Sequence, residues 1–458
     1  MCQKTLLGSP WPRTAELNDA GVVSVGGLEL TELAQRFQTP LYVLDEADFV
    51  ERAQKYLAAM QSAFAEIGSE VEVSYAAKAF ISKHVVKLAL ANGLNIDTAS
   101  FGEMSVALAA GAQGHQLGLH GNNKSDEELT LAIENNFARI FIDSLVEIER
   151  VASLATKLGR DKTNPVPVMV RVTTGVHAGG HEYIATAHED QKFGLSVNAH
   201  GSEASVALQA LTQILQHPQL KLVGIHSHIG SQILDSAGFI AAAERVLQLR
   251  AALASQTGTL VPEIDLGGGF GVAYLPSEVA IDLEAASKEL AQAVKRVCEE
   301  LKTPVPALSF EPGRAIVGPA MVSIYRVGTI KEVFTEDGQK RLYVSLDGGM
   351  SDNIRPALYD ANYFGQVVSR KLTGKLVPAR VVGKHCESGD ILIHNIELPQ
   401  DIAAGDLFAI PVTGAYGRAM SSNYNYLPRP GVVAVKDGVA HSIVRRETIA
   451  DLLALDLG

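Results

Sequence analysis

The chain has 458 residues, of which 47% are hydrophobic and 20% are charged, as in a globular protein that can bury a sizeable core. Its length exceeds that of one average domain and indicates two domains. The formal net charge of -12 argues against nucleic acid and an anionic membrane surface as main partners, because both bind basic faces.

The cysteines indicate the cellular compartment. Cys2, Cys298 and Cys386 are odd in number and far apart, so they fit neither a disulfide framework nor metal-ligand spacing. Residues 1–12 lack the apolar core of a signal peptide, and no apolar run approaches membrane-spanning length. We therefore expect a cytoplasmic protein with no metal site and no membrane partner.

Short apolar strands alternate with helical stretches between about residues 45 and 318. The predicted strands are Val71–Ala77, Leu94–Thr98, Gln116–His120, Arg139–Asp143, Val166–Thr173, Leu222–His228, Glu263–Leu266 and Ala307–Glu311. The predicted helices are Glu46–Ile67, Lys83–Ala91, Glu103–Ala110, Asp126–Asn135, Leu145–Leu158, Ser205–Leu215, Ala237–Ala254 and Leu283–Leu301. Eight strands with interleaved helices favour an α/β fold of the (β/α)8 TIM-barrel type over a doubly wound open sheet.

The pattern changes after Pro319. Strands are predicted at Val322–Val333, Leu342–Leu346, Ala379–Gly383, Leu407–Val412, Val432–Lys436 and Ala440–Val444. This pattern indicates a mainly antiparallel C-terminal β-domain, which a strand from Val22–Leu44 is expected to join. We predict an N-terminal segment at 1–45, a barrel at 46–318 and a C-terminal domain at 319–458.

Catalytic side chains of a barrel come from the C-terminal ends of its strands. Those ends carry Lys78, Asp97, His120, Asp143, Arg171, His228, Gly269 and Glu311. Lys78 is the most informative of them, because a desolvated strand-end lysine can form a Schiff base with an aldehyde. Most lysines are solvated surface residues, so Lys78 alone does not decide the function.

Three later segments supply groups for an aldehyde cofactor that carries a phosphate and a ring nitrogen. His228 can stack on a flat ring or transfer a proton, and the Ser231 hydroxyl can bind a phosphate oxygen. The glycines of Gly267–Gly271 let backbone N–H groups approach a phosphate. In Glu311–Arg314, the glutamate can hydrogen-bond a protonated pyridine nitrogen, and the arginine can bind a carboxylate. A satisfied strand-end histidine, an ordinary glycine turn and a structural Glu–Arg pair are the alternatives.

Together these motifs resemble those of the pyridoxal-phosphate decarboxylases with the alanine-racemase-like fold, a family that includes diaminopimelate, ornithine and arginine decarboxylases. The motifs keep their order and approximate spacing over nearly the whole chain: Tyr75–Ala79, His228–Ser231, Gly267–Gly271 and Glu311–Arg314. The resemblance implies pyridoxal 5'-phosphate as the cofactor, with Lys78 as its covalent anchor. It also implies further cofactor contacts by His228, Ser231, Gly268, Gly269, Glu311, Gly313, Arg314 and Tyr416.

The C-terminal motifs are similar to the diaminopimelate branch of that family. They are Asp347–Tyr359, Cys386–Asp390 and Gly414–Tyr416, and the stretch His177–Phe193, an expected lid, also resembles the family. Phe80 stands where this branch often has asparagine but replaces no catalytic group. The resemblance implies a final proton from Cys386, with Lys78 as the competing donor, and a homodimer with active sites shared across the interface. Substrate contacts are implied for Arg314, Arg355, Tyr359, Glu387 and Tyr416.

The expected activity is decarboxylation of meso-2,6-diaminopimelate to L-lysine and carbon dioxide, the last step of lysine biosynthesis. This substrate has a distal carboxylate for Arg314 and Arg355 and a distal ammonium for Glu387, whereas an ornithine site would leave two buried arginines without a partner. A decarboxylase of ornithine, arginine or carboxynorspermidine is the nearest alternative. A racemase would use a tyrosine base and lack the Cys386–Asp390 motif. A non-catalytic homologue would typically have lost the lysine or a phosphate ligand.

Overall fold

The computed structural model describes residues 4–176, 191–199 and 204–458, in two compact units. One unit comprises Met1–Arg52, Val272–Val279 and Arg314–Gly458, and the other comprises Ala53–Gly271 and Ala280–Gly313. Residues 177–190 of the expected lid lie outside the described residues. The domain boundaries at 45/46 and 318/319 stay a prediction.

The second unit is built on eight parallel strands that close into a barrel. They are Val71–Ala76, Asn95–Thr98, Leu117–Leu119, Arg139–Ile142, Val166–Thr173, Leu220–Ser227, Glu263–Asp265 and Ala307–Phe310. The eighth strand pairs with the first in parallel register, Leu308 opposite Val71, which closes the sheet. A two-residue strand, Leu195–Ser196, adds to the end of the fifth. The predicted barrel is confirmed, and the open-sheet alternative is wrong.

Helices follow the strands, and most of them begin at a polar cap. They are Lys83–Ala91, Phe101–Ala109, Asp126–Glu134, Leu145–Lys157, Val206–Ile214, Ala237–Thr257 and Leu283–Leu301, after a leading helix at Glu46–Ala65. Serine hydroxyls at 82, 100, 125, 144 and 205 each accept a hydrogen bond from the backbone N–H three residues on. The Ser100 cap explains why the second of these helices begins at Phe101, before the predicted Glu103. No helix of the described residues is long and apolar enough to cross a membrane.

The other unit contains two sheets. A four-stranded antiparallel sheet comprises Lys4–Leu6, Glu16–Asn18, Val23–Val25 and Leu28–Glu29, followed by a helix at Leu30–Phe37. The larger sheet comprises Leu41–Asp45, Met321–Phe334, Lys340–Leu346, Gln366–Val367, Leu376–Val382, Ile391–Pro399, Leu407–Pro411, Gly431–Lys436 and Val439–Val444. Short helices lie at Arg314–Val317, Arg355–Tyr359 and Ile449–Leu453.

The larger sheet is mainly antiparallel, and an N-terminal strand joins it as predicted. Leu41–Asp45 lies between Met321–Phe334, to which it is antiparallel, and Gly431–Lys436, to which it is parallel. The predicted strands of this unit were incomplete. The short strands Lys4–Leu6, Glu16–Asn18 and Gln366–Val367 were missed, as was the nine-residue strand Ile391–Pro399. It carries polar residues such as the half-buried His394 and the exposed Glu397, which break the apolar alternation.

Asp352, in the same unit, gives a test of pH-dependent stability. Its carboxyl accepts a hydrogen bond from the Gly349 N–H at 3.0 Å, and burial raises the pKa of Asp352 to about 7. The pKa of Asp352 is higher in the folded state than in the unfolded state, so the protonated carboxyl contributes to the free energy of unfolding. This contribution is fully present below the unfolded pKa of ~4 and is lost as the pH rises through about 7. Asp352→Asn keeps an acceptor for the Gly349 N–H but carries no charge. We expect the Tm of this variant minus the Tm of wild type to be larger at pH 8 than at pH 5. Equal Tm differences at both pH values would contradict this.

Candidate active site

A cavity of about 110 Å³ lies at the C-terminal ends of the barrel strands. Six of the eight predicted strand-end residues line it: Lys78, Asp97, His120, Arg171, His228 and Glu311. The other lining residues are mostly small or apolar, apart from Glu103 and His226. Asp143 and Gly269 are not among them; the Asp143 carboxylate accepts a hydrogen bond from the Gly194 N–H at 2.5 Å. The predicted clustering of polar groups at strand ends is therefore found in one cavity.

Lys78 lies just beyond the first strand rather than at its last residue. The strand ends at Ala76, where the backbone N–H donates to the carbonyl of Pro312 at 3.2 Å, and Ala77–Ala79 form one turn of 3-10 helix. Gly313 packs against this turn: a Cβ there would lie 3.0 Å from the Cβ atoms of Ala76 and Ala79. The turn leaves the side chain of Lys78 exposed on the cavity wall, while its neighbours are buried.

The glycines after the seventh strand are required by close backbone approach. A Cβ on Gly268 would lie 2.2 Å from the carbonyl oxygen of Glu311. Gly269 has φ +113°, and a Cβ there would lie 2.5 Å from the carbonyl oxygen of Gly230. Side chains are thus excluded from this turn, which leaves backbone groups at its surface.

His228 is oriented by the same turn. Its Nδ1 accepts a hydrogen bond from the Gly268 N–H at 3.3 Å, which leaves the ring proton on Nε2. Burial, with further contributions from the cations Lys78 and Arg171, holds the pKa of His228 well below its usual range. The cavity therefore contains a neutral imidazole at this position. Ser231, a predicted phosphate ligand, follows in the next turn and is exposed.

Glu311 is the buried acid of the cavity, with 5% of its surface exposed. Its Oε1 lies 2.9 Å from Nε2 of His120 and 3.4 Å from Nε2 of His226. Burial alone would raise the pKa of Glu311, but the two imidazoles more than offset it and hold the pKa well below its usual range. Asp97 is affected in the opposite direction, since burial and the neighbouring Glu311 raise its pKa. Glu311 is thus the ionised carboxylate of the pair.

Three predicted site residues form a cluster in the other compact unit. A guanidinium N–H of Arg314 donates to the hydroxyl of Tyr274, and its Cζ lies 4.8 Å from the ring centroid of Tyr416. Arg355 is 6% exposed; its Nη1 donates to the Tyr363 hydroxyl at 2.6 Å, and its Cζ lies 4.7 Å from the Tyr274 ring. Among the described residues, no carboxylate forms an ion pair with Arg355. A buried cation surrounded by tyrosines is suited to an anionic ligand.

The other predicted substrate and proton-donor residues, Tyr359, Cys386 and Glu387, make no contact with that cluster among the described residues. Tyr359 is 61% exposed, and Tyr363, four residues on, makes the hydrogen bond to Arg355. Cys386 and Glu387 lie on an exposed loop, in which the backbone N–H of Cys386 donates to the side-chain oxygen of Asn425 at 3.0 Å. The structure of one chain therefore leaves three predicted groups open to solvent.

Sequence reasoning missed two kinds of site residue. His226 lies two residues before His228, and since alternate residues of a strand share a face, this spacing could have identified it. Tyr274 and Tyr363 lie in irregular segments, and no local pattern connects them with the arginines they contact.

The geometry defines the class: a (β/α)8-barrel enzyme with a lysine, a neutral histidine and an ionised glutamate around one cavity, and a glycine turn that contacts the histidine. A sequence profile described as "Pyridoxal-dependent decarboxylase, pyridoxal binding domain" matches residues 48–318. The chain is 45% identical to diaminopimelate decarboxylase of Corynebacterium efficiens, over 98% of this chain and 94% of that protein. It is also 45% identical to the Mycobacterium tuberculosis protein of that name, over 98% and 97%. The chain belongs to the diaminopimelate decarboxylase family of pyridoxal-dependent decarboxylases.

Solved structures agree with the family. The fold matches diaminopimelate decarboxylase of M. jannaschii in complex with L-lysine, with a TM-score of 0.86, 31% identity and 98% coverage of both chains. The Helicobacter pylori protein complexed with L-lysine matches with a TM-score of 0.80, 29% identity and coverage of 93% of this chain and 98% of that one. The barrel with an added β-domain is therefore the family fold.

Proposed function

We propose that this protein decarboxylates meso-2,6-diaminopimelate to L-lysine and carbon dioxide, with pyridoxal 5'-phosphate as cofactor, as the last step of lysine biosynthesis. The observation that carries the proposal is the presence of Lys78, His228 and Glu311 around one cavity, in a chain 45% identical over nearly its full length to diaminopimelate decarboxylases.

The residues of the cavity fit this cofactor. An exposed amine at Lys78 is available for an aldehyde, the ionised Glu311 for a protonated ring nitrogen, and the neutral His228 for a ring face. When bound, pyridoxal phosphate supplies an electron sink for the pair left behind as carbon dioxide departs. Lys78 would anchor the cofactor, Glu311 would pair with a protonated ring nitrogen, and His228 would face the ring. The proposed phosphate contacts are Ser231, Gly268, Gly269, Gly313 and Tyr416.

Substrate specificity comes from the distal end of the molecule. Arg314 and Arg355 bind the distal carboxylate with help from Tyr359 and Tyr416, while Glu387 pairs with the distal ammonium. The burial of Arg355 without an acidic partner among the described residues supports this assignment. A substrate lacking that carboxylate would leave the guanidinium desolvated and unpaired, at a cost in free energy.

Arg355→Ala is expected to raise KM for diaminopimelate by ~30-fold or more, because a buried bidentate carboxylate contact contributes roughly 2–4 kcal/mol. Steady-state kinetics with carbon dioxide release as the readout measure this. Arg380→Ala is the matched control, since Arg380 also donates to a tyrosine hydroxyl, that of Tyr343 at 3.1 Å. An unchanged KM in Arg355→Ala would place the distal carboxylate elsewhere.

A shared active site is the second part of the proposal. Cys386, the proposed proton donor, and Glu387 are exposed on one loop, and Tyr359 is exposed on a short helix. Catalytic and substrate-binding groups act best where water is excluded, which supports a homodimer in which a second copy covers them.

The isolated thiol of Cys298, buried in Leu283–Leu301, is compatible with a cytoplasmic enzyme.

The decisive experiment is carbon dioxide release by the purified protein with pyridoxal phosphate, comparing meso-diaminopimelate with ornithine, arginine and lysine. Turnover confined to diaminopimelate, with lysine as product, is the expected result. Preference for ornithine or arginine would overturn the specificity but keep the cofactor chemistry. No turnover of any substrate by protein that binds the cofactor would overturn the function.

A further inference from the structure

Two histidines without an assigned role lie against Glu311. His120 follows the third barrel strand, and His226 lies in the sixth, so both reach Glu311 across the interior of the barrel. The same carboxylate oxygen, Oε1, lies 2.9 Å from Nε2 of His120 and 3.4 Å from Nε2 of His226, close polar contacts without hydrogen-bond alignment. The exposed side-chain fractions are 12%, 1% and 5% for His120, His226 and Glu311. The contact is thus almost completely shielded from water.

Aromatic packing fixes both imidazoles. The His120 ring stacks on Phe141, with centroids 3.6 Å apart and an interplanar angle of 12°. The His226 ring meets Phe141 and His120 edge-on, with centroids 5.0 Å from each. Neither ring can turn away from Glu311 without losing these contacts, so the direction of each Nε2 is set by packing.

The electrostatic surroundings explain what the histidines do for the carboxylate. Glu311 shares the barrel interior with two other buried acids, Asp97 and Asp265, and burial together with the charge of Glu311 raises the pKa of both. Among the cations, Lys78 and Arg171 interact electrostatically with His226, Arg171 also interacts with Glu311, and Arg139 interacts with Asp97. Burial lowers the pKa of His120 to about 3 and also lowers that of His226, so both rings are neutral and can donate only through N–H.

We propose that His120 and His226 are positioning residues that hold the Glu311 carboxylate ionised and aimed, so that it can pair with the protonated ring nitrogen of the cofactor. Two neutral imidazole dipoles beside Oε1 stabilise the anion without cancelling its charge, whereas a lysine or arginine in their place would compete for it. The inference rests on the proposed function, because it assumes pyridoxal phosphate in this cavity.

The test is a double-mutant cycle with cofactor binding as its first readout. His120→Phe and His226→Phe keep a ring against Phe141 but remove the donor. Titration of the apoprotein with pyridoxal phosphate, followed by absorbance, is expected to show ~10-fold weaker binding, because each variant removes one polar N–H group beside the Glu311 carboxylate. kcat should fall with it, while KM for diaminopimelate changes little.

The double-mutant cycle shows whether the histidines act through Glu311 or only support the local structure. In a Glu311→Gln background, adding His120→Phe should cause little further loss, because the group that it acts on is already neutral. His120→Gln, which keeps an N–H donor, should retain most of the affinity. It also provides a second variant if His120→Phe does not fold. His217→Phe is the matched control, since His217 pairs with Glu149 at 3.2 Å outside the cavity.

The outcomes are distinguishable from a failure of the proposed function. If wild-type protein does not bind pyridoxal phosphate or release carbon dioxide, the function is wrong. If wild type is active but His120→Phe and His226→Phe bind the cofactor normally, the inference is overturned. Full additivity of the histidine and Glu311→Gln effects would also overturn it.

Discussion

Lys78→Ala is expected to lower kcat with diaminopimelate by ~10³-fold or more, as is typical when a covalent catalytic group is removed. The variant should also lose the absorbance band of the covalently held cofactor. The physical reason is that Lys78 contributes the one amine among the residues that line the cavity. Absorbance spectra and carbon dioxide release, measured on the same protein preparation, test both expectations.

The loss should be specific to the chemistry rather than to folding. Lys78 is exposed, and the 3-10 turn around it is held by its buried neighbours, so Tm should remain close to that of wild type. Lys83→Ala is the matched control: Lys83 is also exposed and begins the next helix, but it does not line the cavity. Turnover retained by Lys78→Ala, or lost equally in Lys83→Ala, would contradict the assignment.

The barrel was predictable because its signals are local. Each strand is a short apolar run, and helices such as Lys83–Ala91 and Leu283–Leu301 match the predicted bounds, since period and caps both mark them. The strand Ile391–Pro399 was not predictable in this way. Residues in its second half alternate between partly buried and exposed positions, and the strand it pairs with, Leu376–Val382, is itself half exposed. The strand therefore lacks the apolar run that marks the barrel strands.

The candidate site was predictable at the strand ends and less so away from them. Lys78, His228 and Glu311 follow from the rule that barrel strands end in the active site. The contact between Glu311 and His120 depends on side chains approaching across the barrel, a distance that sequence spacing does not encode. The tyrosines around Arg355 are likewise brought together by the fold, because Tyr274 belongs to an inserted segment 81 residues before Arg355 in the numbering.

Cys386→Ala is expected to lower kcat by ~10²–10³-fold, because removal of a positioned proton donor typically costs this much. Cofactor affinity and its absorbance should be retained, since no residue lining the barrel cavity is changed. Cys298→Ala is the matched control: that thiol is buried in a helix, so its loss should reduce stability slightly and leave kcat unchanged. A normal rate in Cys386→Ala would favour Lys78 as the final proton donor, and loss of the cofactor would contradict the assignment of Cys386.

Mixing the two inactive variants tests whether the thiol serves the partner's site. If Cys386 of one subunit completes the site that contains Lys78 of the other, a mixed dimer of Lys78→Ala and Cys386→Ala carries one doubly altered site and one intact site. Random exchange of subunits should then restore about a quarter of the wild-type rate, because half of the dimers are mixed and each has one intact site. If both residues act within the same subunit, each site of the mixed dimer carries one substitution, and the mixture stays inactive. The exposure of Cys386 in the single chain leads us to expect the restored rate.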